Sequence, residues 1–140
     1  MKLIINSPQI SPGKEVILMA SPVQAGFPSP AEDFKTDKIS LDVALVKNRE
    51  STFYARVKGD SMIDADMDEG DILVIDKSLE PTNGKIAVCM VDGEFTVKRI
   101  KVDRDCLWLV PYNKKFSPIK ITEDNDFMVW GIVTYIIKQV

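Results

Sequence analysis

A mostly β fold is predicted for this chain: a curved antiparallel sheet or partly open barrel of short strands, with an extended N-terminal arm and one or two short helices. Three observations predict it. Beyond residue 50 the apolar residues fall in short runs rather than at helical spacing, glycine-containing turn pairs lie between those runs, and five of the eight prolines (Pro8, Pro12, Pro22, Pro28 and Pro30) crowd into the first thirty residues.

Residues 1–30 carry no sustained helical or alternating period and read as a flexible arm ahead of a domain spanning 31–140. Residues 39–48 fit a short helix with Ser40 as its cap. Phe53, Ala55 and Val57 then alternate with Tyr54, Arg56 and Lys58, the period-two mark of a half-buried strand. Further strands are expected at 72–75, 86–91, 95–100, 107–110 and 128–137. Asp92-Gly93 marks a tight hairpin between two of them, and Glu69-Gly70-Asp71 and Asn83-Gly84 mark other turns. No internal repeat or low-complexity tract interrupts the pattern.

The 140 residues, 45% apolar, suffice for one domain with a real core. With 18 basic and 21 acidic residues the net charge is −3, and no broad basic surface for a phosphate backbone is expected. Cys89 and Cys106 lie in apolar runs and read as buried free thiols of a reducing compartment. No apolar stretch reaches the ~18–20 residues of a membrane span. The run Val16 to Ala20 is too short for a secretory signal, and Glu15 spoils its charged entry. The acidic residues from Asp60 to Asp71 do not form a calcium loop: counted from Asp64, the sixth position is Glu69 where glycine is required, and the twelfth is Ile75 where a glutamate is required.

The chain contains no histidine. Ser-His-Asp and Cys-His hydrolysis are thereby closed, and zinc sites lose their usual ligand, so neither metal nor cofactor is expected. Ser61, in the turn Gly59-Asp60-Ser61-Met62, would need another base if it is a nucleophile. A serine-lysine dyad remains. Bringing a lysine from about 10.4 to the range of about 7–8 that suits a general base costs roughly 3–5 kcal/mol, so such a lysine must lie inside the fold. Lys98 is in the middle of an expected strand, whereas Lys58, Lys77, Lys85 and Lys101 lie toward strand ends, which makes Lys98 the best candidate from pattern.

Four motifs occur in order: Ala25-Gly26-Phe27-Pro28-Ser29-Pro30-Ala31, Gly59-Asp60-Ser61-Met62-Ile63-Asp64, Gly70-Asp71-Ile72-Leu73-Val74-Ile75-Asp76, and Asp92-Gly93-Glu94-Phe95-Thr96-Val97-Lys98. From about residue 23 to its end the chain resembles the LexA/UmuD family of self-cleaving serine-lysine peptidases. The resemblance implies Ser61 as nucleophile, Lys98 as general base, backbone N–H groups of Asp60 and Ser61 as the oxyanion donors, and Ala25-Gly26 as the bond cut by the protein itself. Alanine there matches the Ala-Gly bond of LexA-type members; cysteine occurs in others, and both are small enough for a narrow pocket.

The resemblance further implies an SOS-response protein of the bacterial cytoplasm. A RecA filament on single-stranded DNA would be its activator. The truncated homodimer would be the accessory subunit of a translesion DNA polymerase, without sequence-specific DNA binding or membrane attachment of its own. Two other readings compete. A repressor-like autopeptidase of transcriptional regulation needs a DNA-binding module, and the 25 proline-interrupted residues before Gly26 do not fit a helix-turn-helix. A signal-peptidase-like enzyme would need a membrane anchor.

Overall fold

The computed structural model of the chain describes residues 2–6, 16–19, 36–58, 67–111 and 117–140. These contain ten strands: β1 (Lys2–Asn6), β2 (Val16–Met19), β3 (Thr36–Ile39), β4 (Thr52–Lys58), β5 (Ile72–Asp76), β6 (Ile86–Val91), β7 (Glu94–Asp103), β8 (Cys106–Val110), β9 (Ile119–Ile121) and β10 (Phe127–Ile137). The one helix among them, α1, is Leu41–Leu45. It is shorter than the expected 39–48. Ser40 takes the N-cap position but makes no side-chain cap hydrogen bond, and Leu41 and Val43 are exposed, so little burial or capping supports a longer helix.

Residues 1–8 and 48–140 form one compact unit, and 9–47 a second. In the second, β2 and β3 make a two-stranded antiparallel ribbon that pairs Val16 with Ile39 and Met19 with Thr36. The first holds an open, wholly antiparallel eight-stranded sheet in the order β1, β4, β5, β10, β6, β7, β8, β9. The mostly β expectation is therefore met, and every strand expected beyond residue 50 is present within a few residues of its expected bounds.

Turn chemistry explains the connections. Asp92 (φ 50°) and Gly93 (φ 85°) both take positive φ and close β6 onto β7 in two residues, the geometry that Asp-Gly favours. The Asp92 carboxylate also accepts the backbone N–H of Asp126 at 2.9 Å, tying this hairpin tip to the start of β10.

The sheet has apolar residues on both faces. On one, Ala55, Val57, Met67, Leu73, Ile75, Val88 and Val97 form a buried cluster; on the other, Ala87, Cys89, Ile100, Leu109 and Ile132 form a second. Strand alternation sorts β6 accordingly, with Val88 in the first cluster and Ala87 and Cys89 in the second. Trp130 of β10 meets Phe53 of β4 at 5.2 Å and Phe95 of β7 at 6.1 Å between ring centroids. Each partner is two strands away, about 10 Å on a flat sheet, so this convergence fits a sheet curled toward that face.

β10 carries two irregularities, between Val129 and Gly131 against β6 and between Val133 and Tyr135 against β5. They let one long strand serve two differently angled neighbours.

Candidate active site

The segment expected to bear the nucleophile leaves β4 after Lys58 and returns at Met67. Gly59, Asp60 and Ser61 lie outside the described residues, as do Ala25 and Gly26. Both ends of the serine segment are fixed in one core. Val57 and Met67 are each only 1% exposed and belong to the first cluster. The Val57 N–H donates to the Asp71 carbonyl at 2.9 Å, and the Gly70 N–H to the Val57 carbonyl at 2.8 Å, so the chain is also closed across its base.

Charge reinforces that closure. The Asp71 carboxylate, 4% exposed, accepts the Asp68 N–H at 2.8 Å and Lys138 Nζ at 2.6 Å; the same amine reaches Asp68 at 2.6 Å. Burial alone would raise the Asp71 pKa, but the Asp68 N–H, the Lys138 hydrogen bond and the Lys138 charge outweigh it and hold the carboxyl below its ordinary value. The two carboxylates push the Lys138 pKa up. Sequence reasoning missed this clamp because Lys138 is 67 positions from Asp71. The available signal was a charged residue, Asp71, set directly against the apolar run 72–75.

Lys98 lies in β7, an interior strand flanked by β6 and β8 and not an edge. Its Cα partner is the fully buried Ala87, and its own side chain is half-buried. Alternation gives it the face of Thr96 and Ile100, with Arg99 on the opposite face beside Val97, as the sequence pattern predicts. Arg99 donates to the Gly84 carbonyl at 2.6 Å.

Across the sheet, the row through Lys98 continues to Ala87, Ile132, Asp76 and Thr52. Asp76 anchors the far end of that row, 3% exposed. It accepts Asn48 Nδ2 at 2.8 Å, Ser51 Oγ at 2.8 Å, and the Ser78 N–H and Oγ at 2.8 and 2.6 Å. Burial pushes its pKa up, yet these donors together hold it below the ordinary value.

The two cysteines differ. Cys89 is buried and its thiol is pushed up to about 12 by desolvation; Cys106 is only half-buried, because Cys106 opens β8 next to the exposed turn at Arg104 and Asp105. Among the described residues no group of three or more His, Cys, Asp or Glu side chains could hold a metal ion, and no helix is long and apolar enough to cross a membrane.

The second unit contains the bond expected to be cut. β2 and β3 pair on either side of residues 20–35, so the strand ribbon brackets the segment that contains Ala25-Gly26.

The described residues thus form an open antiparallel β domain in which the flanks of the serine-bearing segment are fixed in one core and Lys98 lies within an interior strand. The chain belongs to the Peptidase S24-like family, whose pattern matches residues 17–134 and so spans all four motifs. It is 40% identical to the protein MucA of Salmonella typhimurium over 115 residues, covering 81% of this chain and 77% of that protein. It is 32% identical to the protein SamA of the same species over 135 residues, covering 93% and 94%. With LexA repressor 1 of Xanthomonas campestris the identity is 37% over 117 residues, covering 84% of this chain and 58% of the repressor. The resemblance drawn from the motifs is borne out at the level of the family.

Proposed function

We propose that this chain is a UmuD-like SOS-response autopeptidase. Residues 1–30 would act as its substrate arm and 31–140 as its peptidase domain. The observation that carries the reading is the match to the Peptidase S24-like family across 17–134, the stretch of sequence in which the four motifs lie in order. The fixed ends of the Ser61 segment and the position of Lys98 in the sheet interior support it.

In this reading Lys98 Nζ, as the neutral amine, takes the proton of Ser61 Oγ while that oxygen bonds to the Ala25 carbonyl carbon. The backbone N–H groups of Asp60 and Ser61 stabilise the resulting oxyanion. The Ala25–Gly26 C–N bond then breaks and the Gly26 amine takes the proton from Lys98. Water finally hydrolyses the Ser61 ester and restores the hydroxyl. The substrate is part of the same protein, so proximity takes the place of a binding pocket. A RecA filament on single-stranded DNA would stimulate this step in the cytoplasm. The truncated chain would then act as a homodimer with the catalytic subunit of a translesion polymerase.

Incubation of the purified chain at alkaline pH, followed by N-terminal sequencing, tests the chemistry. A fragment beginning at Gly26 is expected, with a rate that rises with pH until the base is titrated. Ser61→Ala and Lys98→Ala should each abolish it; the same cut persisting in either variant would refute the dyad. Mixing with RecA, single-stranded DNA and a nucleotide should accelerate the wild-type cut.

A further inference from the structure

On the self-cleavage reading above, we propose that Lys138 is a positioning residue for Ser61, acting through Asp68 and Asp71 on the point where the serine-bearing segment rejoins the sheet. The register of β10 on β5 carries it there. Ile137 at the end of β10 pairs with Ile72 at the start of β5, so the next step along the ladder sets Lys138 opposite Asp71. That register depends on the irregularity between Val133 and Tyr135. Ile132 and Val133 pair with Asp76 and Ile75, Tyr135 then pairs with Val74, and the intervening Thr134 shifts every later residue by one. With regular pairing, position 138 would stand opposite Gly70, which has no side chain to meet it.

The contacts at this corner converge on residues 67–71. Lys138 Nζ donates to one oxygen of Asp71 and to one of Asp68, each at 2.6 Å. The Asp71 carboxylate also accepts the Asp68 N–H at 2.8 Å, and the Asp71 N–H donates to the Asp68 carbonyl at 3.1 Å. Asp68 directly follows Met67, whose side chain is buried in the first core at the end of the serine-bearing segment. An exposed lysine–carboxylate pair usually contributes little. This one differs, because the Asp71 side chain is only 5% exposed and two carboxylates share one ammonium. Without that ammonium, Asp71 keeps a buried negative charge beside a second one, and their repulsion drives the exposed Asp68 outward. Movement of Asp68 pulls on Met67, its neighbour in the chain. Arg56 is no substitute: its Nη1 donates to the Gly70 carbonyl at 3.2 Å, and among the described residues Lys138 is the one cation bonded to these carboxylates.

The charge persists under the conditions where cleavage is expected. Hydrogen bonds to Asp68 and Asp71, together with the charges of both, outweigh desolvation and hold the Lys138 pKa above its ordinary value, so the ammonium survives at the alkaline pH that frees a lysine base. The two buried clusters keep the sheet folded without this ion pair, but proton transfer tolerates far less displacement than folding does. Loss of Lys138 therefore acts on the rate before it acts on the fold.

Two measurements test this role, one of them independent of cleavage. In the full chain carrying Ser61→Ala, amide hydrogen exchange is followed by NMR with Lys138 in place and with Lys138→Met, which keeps the apolar stem and removes the charge. The amides of Asp68 and Gly70 should exchange about fivefold faster in the variant, while those of Val88 and Val97 in the sheet interior keep their rates. Unchanged rates at Asp68 and Gly70, or an equal acceleration at Val88 and Val97, would overturn the proposal. In chains with native Ser61, the rate of appearance of the fragment beginning at Gly26 is measured at alkaline pH and at a temperature where circular dichroism shows each chain folded. Lys138→Met should cut about tenfold more slowly, and Lys138→Arg, which restores the charge, should return to within about threefold of wild type. A Lys138→Met rate equal to that of wild type, or a Lys138→Arg rate no better than that of Lys138→Met, refutes the positioning role. Absence of the cut from the wild-type chain refutes instead the self-cleavage reading on which that role rests.

Discussion

Replacement of Asp76 by alanine is the sharpest test of what holds the sheet at the end of the Lys98 row. Four donors converge on this carboxylate at 2.6–2.8 Å, and it is 3% exposed. Hydrogen bonds to a charged group contribute about 1.5–3 kcal/mol each, but the sum overstates the loss, because Asn48 and Ser78 are exposed and regain water when the carboxylate goes. The net cost should be about 2–4 kcal/mol, or a melting midpoint lowered by about 6–12 °C for a domain of this size. The pH dependence has a definite sign. The folded pKa lies below the unfolded one, so the contribution is fully present above the unfolded value near 3.9 and is lost as pH falls through the folded value. Urea unfolding of wild type and Asp76→Ala at one protein concentration, at pH 7 and at pH 3, measures both parts. A difference under about 0.5 kcal/mol at pH 7 would refute the network's role, and a difference that widens toward pH 3 would refute the sign.

Two further outcomes are expected. Gly131→Ala should destabilise by about 1–3 kcal/mol, since the added Cβ would meet Ile75 Cγ2 at 2.5 Å in a side chain with no exposure; an unchanged midpoint in thermal circular dichroism would contradict this. At pH 8 a disulfide-exchange thiol reagent should modify Cys106 in the folded chain and reach Cys89 only on unfolding, because burial and a pKa of about 12 leave about one Cys89 thiol in 10⁴ ionised. Two equally fast thiols would count against the buried assignment.

What the sequence revealed and what it hid divide along physical lines. Strands β4 to β8 and β10 announce themselves by alternation or by β-branched runs between glycine turns, signals contained within each segment. β1 and β9 do not: Leu3-Ile4-Ile5 is too short a run to separate from an apolar arm, and Ile119-Lys120-Ile121 is three residues long. β3, Thr36-Asp37-Lys38-Ile39, has no apolar period and exists through its pairing with β2. At the site the order of motifs pointed to Ser61 and Lys98. The Lys138 clamp and the Asn48–Asp76 bond join residues 67 and 28 positions apart, a separation that no local pattern encodes.

The location of these hidden contacts gives them their bearing on chemistry. A serine in a turn is an ordinary alcohol unless its position relative to a base is held to within a fraction of an ångström. Here the flanks of segment 59–66, Val57 and Met67, enter the same core as Val97, which adjoins Lys98 along β7 although the Lys98 side chain takes the opposite face. The Asp71–Lys138 pair, the Val57 exchange with Gly70 and Asp71, and that shared core therefore all constrain the same few residues of chain. On the proposed reading, the position of the nucleophile is governed by groups that flank its segment in the sheet. Damage to the core at Val57, Met67 or Val97 should then slow cleavage before it unfolds the domain, because a displacement too small to open a packed sheet is large on the scale of a proton transfer.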